Sequence, residues 1–534
     1  MNKYIIKATS AIATILLIAL NSCELDINDN PNAPTDVSVT PNFSLNATVA
    51  ATAYTQAYYF GYSFASFIMG YQVPGDGISG YGTTYTYGYG ATSFTDQWNR
   101  SLDELHDYQT IINKAEADNS YLVYGAVARI MKSLVYQELV DAFGDMPYHE
   151  GLQGEKGILQ PKYDKDADIY KALVADLDNA ITELKAAQTT SGLAAFGSTN
   201  DPMFKGNLTK WIQFANNIKL RLLVRARGTS IDSFVQSAFK TFSAEGFLLE
   251  DALVNPGYNA SSQQNPMWSA YHSNVAGSMT SAANYYIPSY FLFAFYDSTK
   301  LSDPVRGALT YKNFPNTPKW ELGIEVDRPK SPGAIWFIGT GSNANASNAQ
   351  GLLKSRSAGY PIFLLAETRF LLAEAALFGN TLDGDAKFNF EKGIAASFAY
   401  LAIDGTSTAP PSTFNADEET KKYIEMNTDS HLANFDRADT QEKKLEAIIT
   451  QKYIALNITN TFEAWAEFRR TAYPKASGTD PVYNFISKQS QSTRPDLFIV
   501  RMVYPPTETG GNRDNTPMVK DCFSSPVFWQ KKSE

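Results

Sequence analysis

The side chains that could do chemistry are few, and each local constellation fails on its surroundings. Gly75-Asp76-Gly77-Ile78-Ser79-Gly80 matches the G-x-G-x-x-G string that cradles a dinucleotide pyrophosphate. That string works only between an entering strand and a leaving helix, whose N-terminus holds the phosphates. Here Pro74 precedes it and a Gly/Tyr tract follows, so the match is composition. Asp26-Ile27-Asn28-Asp29-Asn30 imitates the start of a calcium loop, yet Pro31 stands where the sharp turn needs glycine and Val37 where the bidentate Glu belongs. Glu463 and Glu467 lie one helical turn apart and suggest the paired carboxyls of a glycosidase, which must face each other across a cleft. Beside Arg469 and Arg470 the pair reads better as a solvated or salt-bridged helix face. No H-E-x-x-H, G-x-S-x-G or C-x-x-C string occurs, and 4 His with 2 Cys argue against a zinc site. Neither catalysis, a metal nor a cofactor is expected.

Aromatic chemistry is what remains. The chain carries 31 Tyr, 32 Phe and 7 Trp, and the segment Gly70 to Gly90, GYQVPGDGISGYGTTYTYGYG, alternates tyrosine with glycine and threonine. Such a backbone is expected to be non-helical, with its rings presented by loops or short strands. A tyrosine offers a flat apolar face and a hydroxyl, which suits stacking on a sugar ring while bonding its hydroxyls. Tyr81, Tyr87 and Tyr89 are therefore candidate ligand platforms, as are Trp268, Trp320 and Trp336 in a loop-rich stretch farther on. The competing account is that these rings pack their segments onto the body of the protein.

The elements that must carry these rings are helices. Thr40-Pro41 starts one over 43–60, with Leu45, Val49 and Ala53 on one face. Trp98, Leu102, Leu105, Gln109 and Ile112 mark a second over 95–117, and Tyr124, Ala128, Met131, Val135 and Leu139 a third over 121–143, joined by an Asn119-Ser120 turn. The same 3.6-residue pattern recurs over 166–187 and 208–227, and again over 362–378, 388–401, 445–456 and 462–468. Between about 245 and 360 it gives way to Asn, Ser, Gly, Pro and aromatics. Amphipathic pairs bury their apolar stripes on neighbouring pairs, so the predicted fold is mainly α, a superhelix of tetratricopeptide-like helix pairs with a loop-rich irregular lobe.

Composition narrows the function classes. At 534 residues, 44% hydrophobic and 19% charged, the chain is globular, and a net charge of -10 with a pI near 5.1 offers no basic footprint for nucleic acid. Lys3 and Lys7 precede an apolar run from Ala8 to Leu20, too short to span a membrane and suited to a signal peptide. Leu20-Asn21-Ser22-Cys23 then resembles a bacterial lipobox, with cleavage before Cys23 and acylation of its thiol. Several acyl chains anchor stably where one is marginal. The expected layout is a signal peptide over 1–22, a lipidated tether over 23–40 and a body over 41–534. Within the body, helical pairs occupy about 41–245 and 360–475, the irregular lobe about 246–359, and a C-terminal irregular segment about 476–534. Cys522 is left as a lone, buried or half-buried thiol.

Longer strings carry a family resemblance. Asn30-Pro31-Asn32 after the lipobox, Asp141 to Tyr148 (DAFGDMPY), Phe204 to Trp211 (FKGNLTKW) leading to Asn216 to Arg221, and Tyr360-Pro361 with Glu367 to Ala375 resemble SusD/RagB-type outer-membrane lipoproteins. So do Gln451 to Leu456, Glu463-Ala464-Trp465 through Arg469 to Pro474, and Arg501 to Pro505. The resemblance spans nearly the whole mature chain and lies mostly in packing signatures. It implies a non-catalytic cell-surface lipoprotein that caps a SusC-like TonB-dependent transporter and captures oligosaccharides, or sometimes peptides, for import. The acids after Cys23 are similar to the surface-export signal of such lipoproteins. A lipid-anchored glycan hydrolase is the more distant alternative. Because the body is acidic, a neutral glycan is the favoured cargo.

Overall fold

The computed structural model describes residues 40–338, 349–407 and 409–531. The fold is mainly helical, as the apolar periodicity predicts. The long helices are α1 (Pro41–Tyr54), α2 (Thr95–Ala117), α3 (Leu122–Phe143), α4 (Asp166–Ala187), α5 (Leu208–Ala226), α6 (Leu365–Leu377), α7 (Ala386–Ala402), α8 (Ala416–Met426), α9 (Gln441–Ala455) and α10 (Thr461–Thr471). α2 packs on α3, α3 on α4 and α4 on α5, while α6 packs on α7 and α9. Antiparallel neighbours of this kind need small residues where they cross. Gly125 of α3 faces Ala115 of α2 so closely that a Cβ there would sit 2.6 Å from the alanine methyl, and Gly393 of α7 makes room for the Phe370 ring of α6.

α1 does not end at Tyr54. It continues as a π-helix over Thr55–Ala65 and one further turn over Ser66–Ile68. π-helical stretches of this length are rare and concentrate at functional sites. Here buried carboxyls hold the widened turns: Thr55 donates to Glu104 at 2.6 Å and Gln56 to Glu138 at 2.5 Å. On the opposite side Gly61 lets α10 close in, so that the Ser66 hydroxyl lies 3.3 Å from that of Thr461.

α10 decides between the two readings of its acids in favour of the salt-bridged one. Glu463 and Glu467 are each 2% exposed, not solvated. Arg225 of α5 bridges Asp141 of α3 to Glu463 and reaches Glu467 at 3.3 Å. Lys452 of α9 meets the same two acids at 2.8 and 3.2 Å, Arg221 meets Glu367 of α6 at 2.7 Å, and Arg470 meets Glu374 at 2.7 Å. Burial alone would raise the Glu467 carboxyl, yet Arg470, Lys452 and Arg225 hold it well below the usual range. This ionic core joins helices from both halves of the chain.

The central lobe is irregular but tightly capped. Short helices over Pro266–Tyr271, Ser281–Tyr285, Tyr290–Phe293 and Pro304–Thr310 start on Asn265, Thr280, Ser289 and Asp303, whose side chains accept from backbone N–H groups. Two small antiparallel pairings pin the lobe to the body. β1 (Val73–Pro74) pairs with β3 (Tyr286–Ile287), and β2 (Ala252–Val254) with β4 (Tyr360–Phe363).

Candidate ligand-binding surface

The Gly70 to Gly90 tract departs from the expected non-helical course. Gly82–Thr86 forms a short helix, closed by Tyr87 at φ +55°. Its glycines sit at the ends, and between them Thr86 donates back to the Gly82 carbonyl at 2.8 Å while Tyr85 is buried as the anchor. Of the G-x-G-x-x-G glycines, Gly75 and Gly77 serve close approach, while Gly80 takes a positive φ with open space around it. At Gly75 a Cβ would meet the carbonyls of Tyr285 at 2.7 Å and Pro329 at 2.9 Å.

Three of the six expected platforms are core residues. Tyr87 is fully buried, its ring edge-on to Phe498 and its hydroxyl accepting from the Ser487 N–H at 3.0 Å. Trp268 is fully buried and stacks on His272 at 4.1 Å, with its indole N–H donated to Ser273. Trp336, also fully buried, stacks on Tyr311 and meets Tyr271 edge-on. These rings present no face to a ligand: Tyr87 packs its segment onto the C-terminal stretch, and Trp268 and Trp336 fill the interior of the irregular lobe. Tyr89 is half-buried between Phe64 and Phe94. Trp320 is half-buried beside Tyr290, and its indole N–H donates to the Ile324 carbonyl at 2.9 Å.

Tyr81 leads to the feature that the sequence reading missed. Its hydroxyl lies 2.5 Å from that of Tyr286, and its ring is edge-on to the Tyr286 ring at 5.9 Å. Tyr286 is followed by Tyr62 at 6.1 Å, Tyr62 by Tyr58 at 5.1 Å, and Tyr58 by Tyr54 at 5.5 Å, the last pair stacked within 5° of parallel. Tyr54, Tyr58 and Tyr62 recur every four residues and so share one face of α1 and its π-helical continuation. Tyr54 is exposed, Tyr58 and Tyr62 half-buried. The four-residue spacing was visible in the sequence, on the face beside Leu45, Val49 and Ala53.

Arg328 fixes the far end of the row. It donates to the Tyr85 hydroxyl at 3.1 Å and to the Ile78 carbonyl at 2.8 Å, tying the 320–330 loop to the tyrosine tract. Burial pushes the Tyr62 hydroxyl up to about 12 and raises those of Tyr54, Tyr58 and Tyr81. At neutral pH all four stay protonated and can both donate and accept. Rings with such hydroxyls can hold a polyhydroxylated ligand by stacking and hydrogen bonding. By contrast Glu463 and Glu467 are sealed in the ionic core and face no cleft. Among the described residues no group of three or more His, Cys, Asp or Glu is placed to hold a metal ion, and no helix is long and apolar enough to cross a membrane.

Comparison with known proteins bears on the family and the fold. A SusD-like family profile described as "Starch-binding associating with outer membrane" matches residues 31–505. A SusD homologue from Bacteroides uniformis superimposes with a TM-score of 0.66 at 23% identity, covering 92% of this chain and 100% of that one. A chitin-binding protein gives a TM-score of 0.65 at 24% identity with the same coverages, and a chitin-binding SusD homologue from Flavobacterium johnsoniae 0.62 at 22%, covering 92% and 98%. No curated protein matches. With a fold shared over 92% of its length and a family profile over residues 31–505, the chain belongs to the SusD-like family of proteins described as starch-binding and associating with the outer membrane.

Proposed function

We propose that this protein is a lipid-anchored, cell-surface lipoprotein that captures oligosaccharides without cutting them and hands them to a SusC-like TonB-dependent transporter. The row of tyrosines from Tyr54 to Tyr81 carries the proposal: Tyr54, Tyr58 and Tyr62 share one helical face held by buried partners, and Tyr81 joins them through the buried Tyr286. Tyr81, Trp320 and Tyr89 remain the platforms from the sequence reading that keep part of their surface open. The chitin-binding relatives favour a neutral glycan, and the acidic body agrees with an uncharged cargo.

The test is titration of the purified protein with neutral oligosaccharides and with peptides of matched size, followed by calorimetry. A saccharide is expected to bind, and Tyr58→Ala and Tyr81→Ala each to weaken it about tenfold, equal to about 1.4 kcal/mol. Peptide binding alone would favour the peptide-capturing lid of the same transporter type, and release of shortened sugar would favour a hydrolase. Cys23 lies outside the described residues, and its role rests on the lipobox. Cys23→Ala is expected to abolish acylation and membrane retention. A mature, unacylated protein that stays on the membrane would overturn the anchor.

A further inference from the structure

The exposed face of α1 continues beyond the tyrosine row, toward the start of the helix. Phe43, Ala47, Ala51 and Tyr54 follow one another at steps of four, four and three residues, so they lie on the face that Tyr58 and Tyr62 extend. Phe43 is 77% exposed and Tyr54 39%, while Ala47 and Ala51 are also exposed. Two rings thus stand at the ends of a flat alanine floor. Their Cα atoms are 11 residues apart, about 16 Å along the helix. The 256–275 segment forms the opposite wall and closes a cleft of about 650 Å³, to which it contributes Pro256, Ser262, Gln263, Gln264 and Ser269. An adjoining cavity of about 350 Å³ shares Asn46, Pro256 and Tyr258 with it.

The lining decides what could enter. No acidic or basic side chain borders the larger cleft, so an ionic ligand would lose its hydration with no countercharge in return. Amides and hydroxyls line the wall, aromatic rings stand at the ends, and methyl groups form the floor. That set fits the alternating hydroxyl edges and apolar faces of a pyranose chain. Tyr54 belongs both to the cleft and to the tyrosine row.

We infer that the cleft is a second saccharide subsite, continuous through Tyr54 with the row, so that the protein selects extended neutral oligosaccharides over short ones. This rests on the saccharide reading given above and adds to it a preference for chain length. A short saccharide fills the row between Tyr58 and Tyr81. A longer chain runs on past Tyr54 over the alanine floor to Phe43.

The inference is tested with a length series of whichever neutral oligosaccharide binds, titrated against the full protein, Phe43→Ala, Gln263→Ala and Tyr58→Ala. Phe43 and Gln263 are exposed, so their variants are expected to fold normally, which melting temperature checks. Affinity should rise with chain length in the wild type. Phe43→Ala and Gln263→Ala should remove that rise, about five- to tenfold for the longest chains, and leave the shortest unchanged. Tyr58→Ala should weaken all lengths. If the cleft variants bind long and short chains as the wild type does, while Tyr58→Ala loses both, the second subsite is wrong and the saccharide reading stands. If no saccharide of any length binds, the functional reading itself falls, and the length preference with it.

Discussion

Glu104 and Glu138, the carboxyls under the π-helix, make the clearest case for what a single side chain does here. Burial pushes Glu104 up to about 8 and Glu138 up to about 7, against opposing hydrogen bonds from Thr55 and Gln56. The folded protein therefore keeps both protons to higher pH than the unfolded chain. Their stabilising effect is full below the ordinary carboxyl range and is lost as pH rises through about 7 and 8. Half-buried Lys300 and buried Lys354, each lowered to about 7 by desolvation, act in the opposite sense between pH 7 and their unfolded value. The decisive measurement is thus a difference. Glu104→Gln should match the wild type near pH 5 and exceed it by on the order of 2–4 kcal/mol near pH 9 in denaturant unfolding. Equal pH profiles would show that Glu104 does not hold its proton. Individual side chains are also where the sequence was hardest to read. Trp268 and Trp336 sit in the loop-rich lobe, which raises the chance of exposure, but Trp268 is buried against His272 and Trp336 against Tyr271 and Tyr311. Glu463 and Glu467 beside Arg469 and Arg470 read as solvated or salt-bridged alike, because their further partners, Arg225 and Lys452, come from other helices.

Helices were the most readable level, since the 3.6-residue apolar pattern that marks them is the same pattern that buries them. Leu102 and Leu105 of α2, or Leu173, Leu177 and Leu184 of α4, fall on buried or half-buried faces where the periodicity places them. The pattern does not reveal the π-helix, because a change from i+4 to i+5 hydrogen bonding is forced by partners such as Glu104, Glu138 and Thr461, distant in sequence. Nor does it reveal the Gly82–Thr86 helix, where a buried Tyr85 outweighs the flanking glycines. The helix crossings give a direct test. Gly125→Ala improves local helix propensity but puts a methyl 2.6 Å from that of Ala115. It is expected to destabilise by about 1–3 kcal/mol, read from the denaturation midpoint. A neutral or stabilising result would mean that α2 and α3 can part at no cost.

For the chain as a whole, the ionic core ties the two halves together over long sequence distances: Arg225 of α5 binds Glu463 and Glu467 of α10, 238 and 242 residues away. Removing Arg225 takes the ion-pair partner from buried Asp141 and leaves Glu463 and Glu467 to Lys452 and Arg470. Arg225→Met is expected to cost about 3–5 kcal/mol, and to expose sites in both halves to limited proteolysis together; cleavage confined to one half would show that the halves are independently stable. The distribution of indoles has a different consequence. Of the 7 tryptophans, Trp98, Trp211, Trp268, Trp336, Trp465 and Trp529 are buried, and Trp320 alone is half-buried. Intrinsic fluorescence therefore separates into a blue-shifted emission from the interior and a redder one from the loop that Arg328 ties to the tyrosine tract. Acrylamide should quench the red component first, and a sugar seated against Trp320 should protect it while leaving the blue component unchanged. The protein thus carries a built-in optical reporter at one edge of its proposed binding surface.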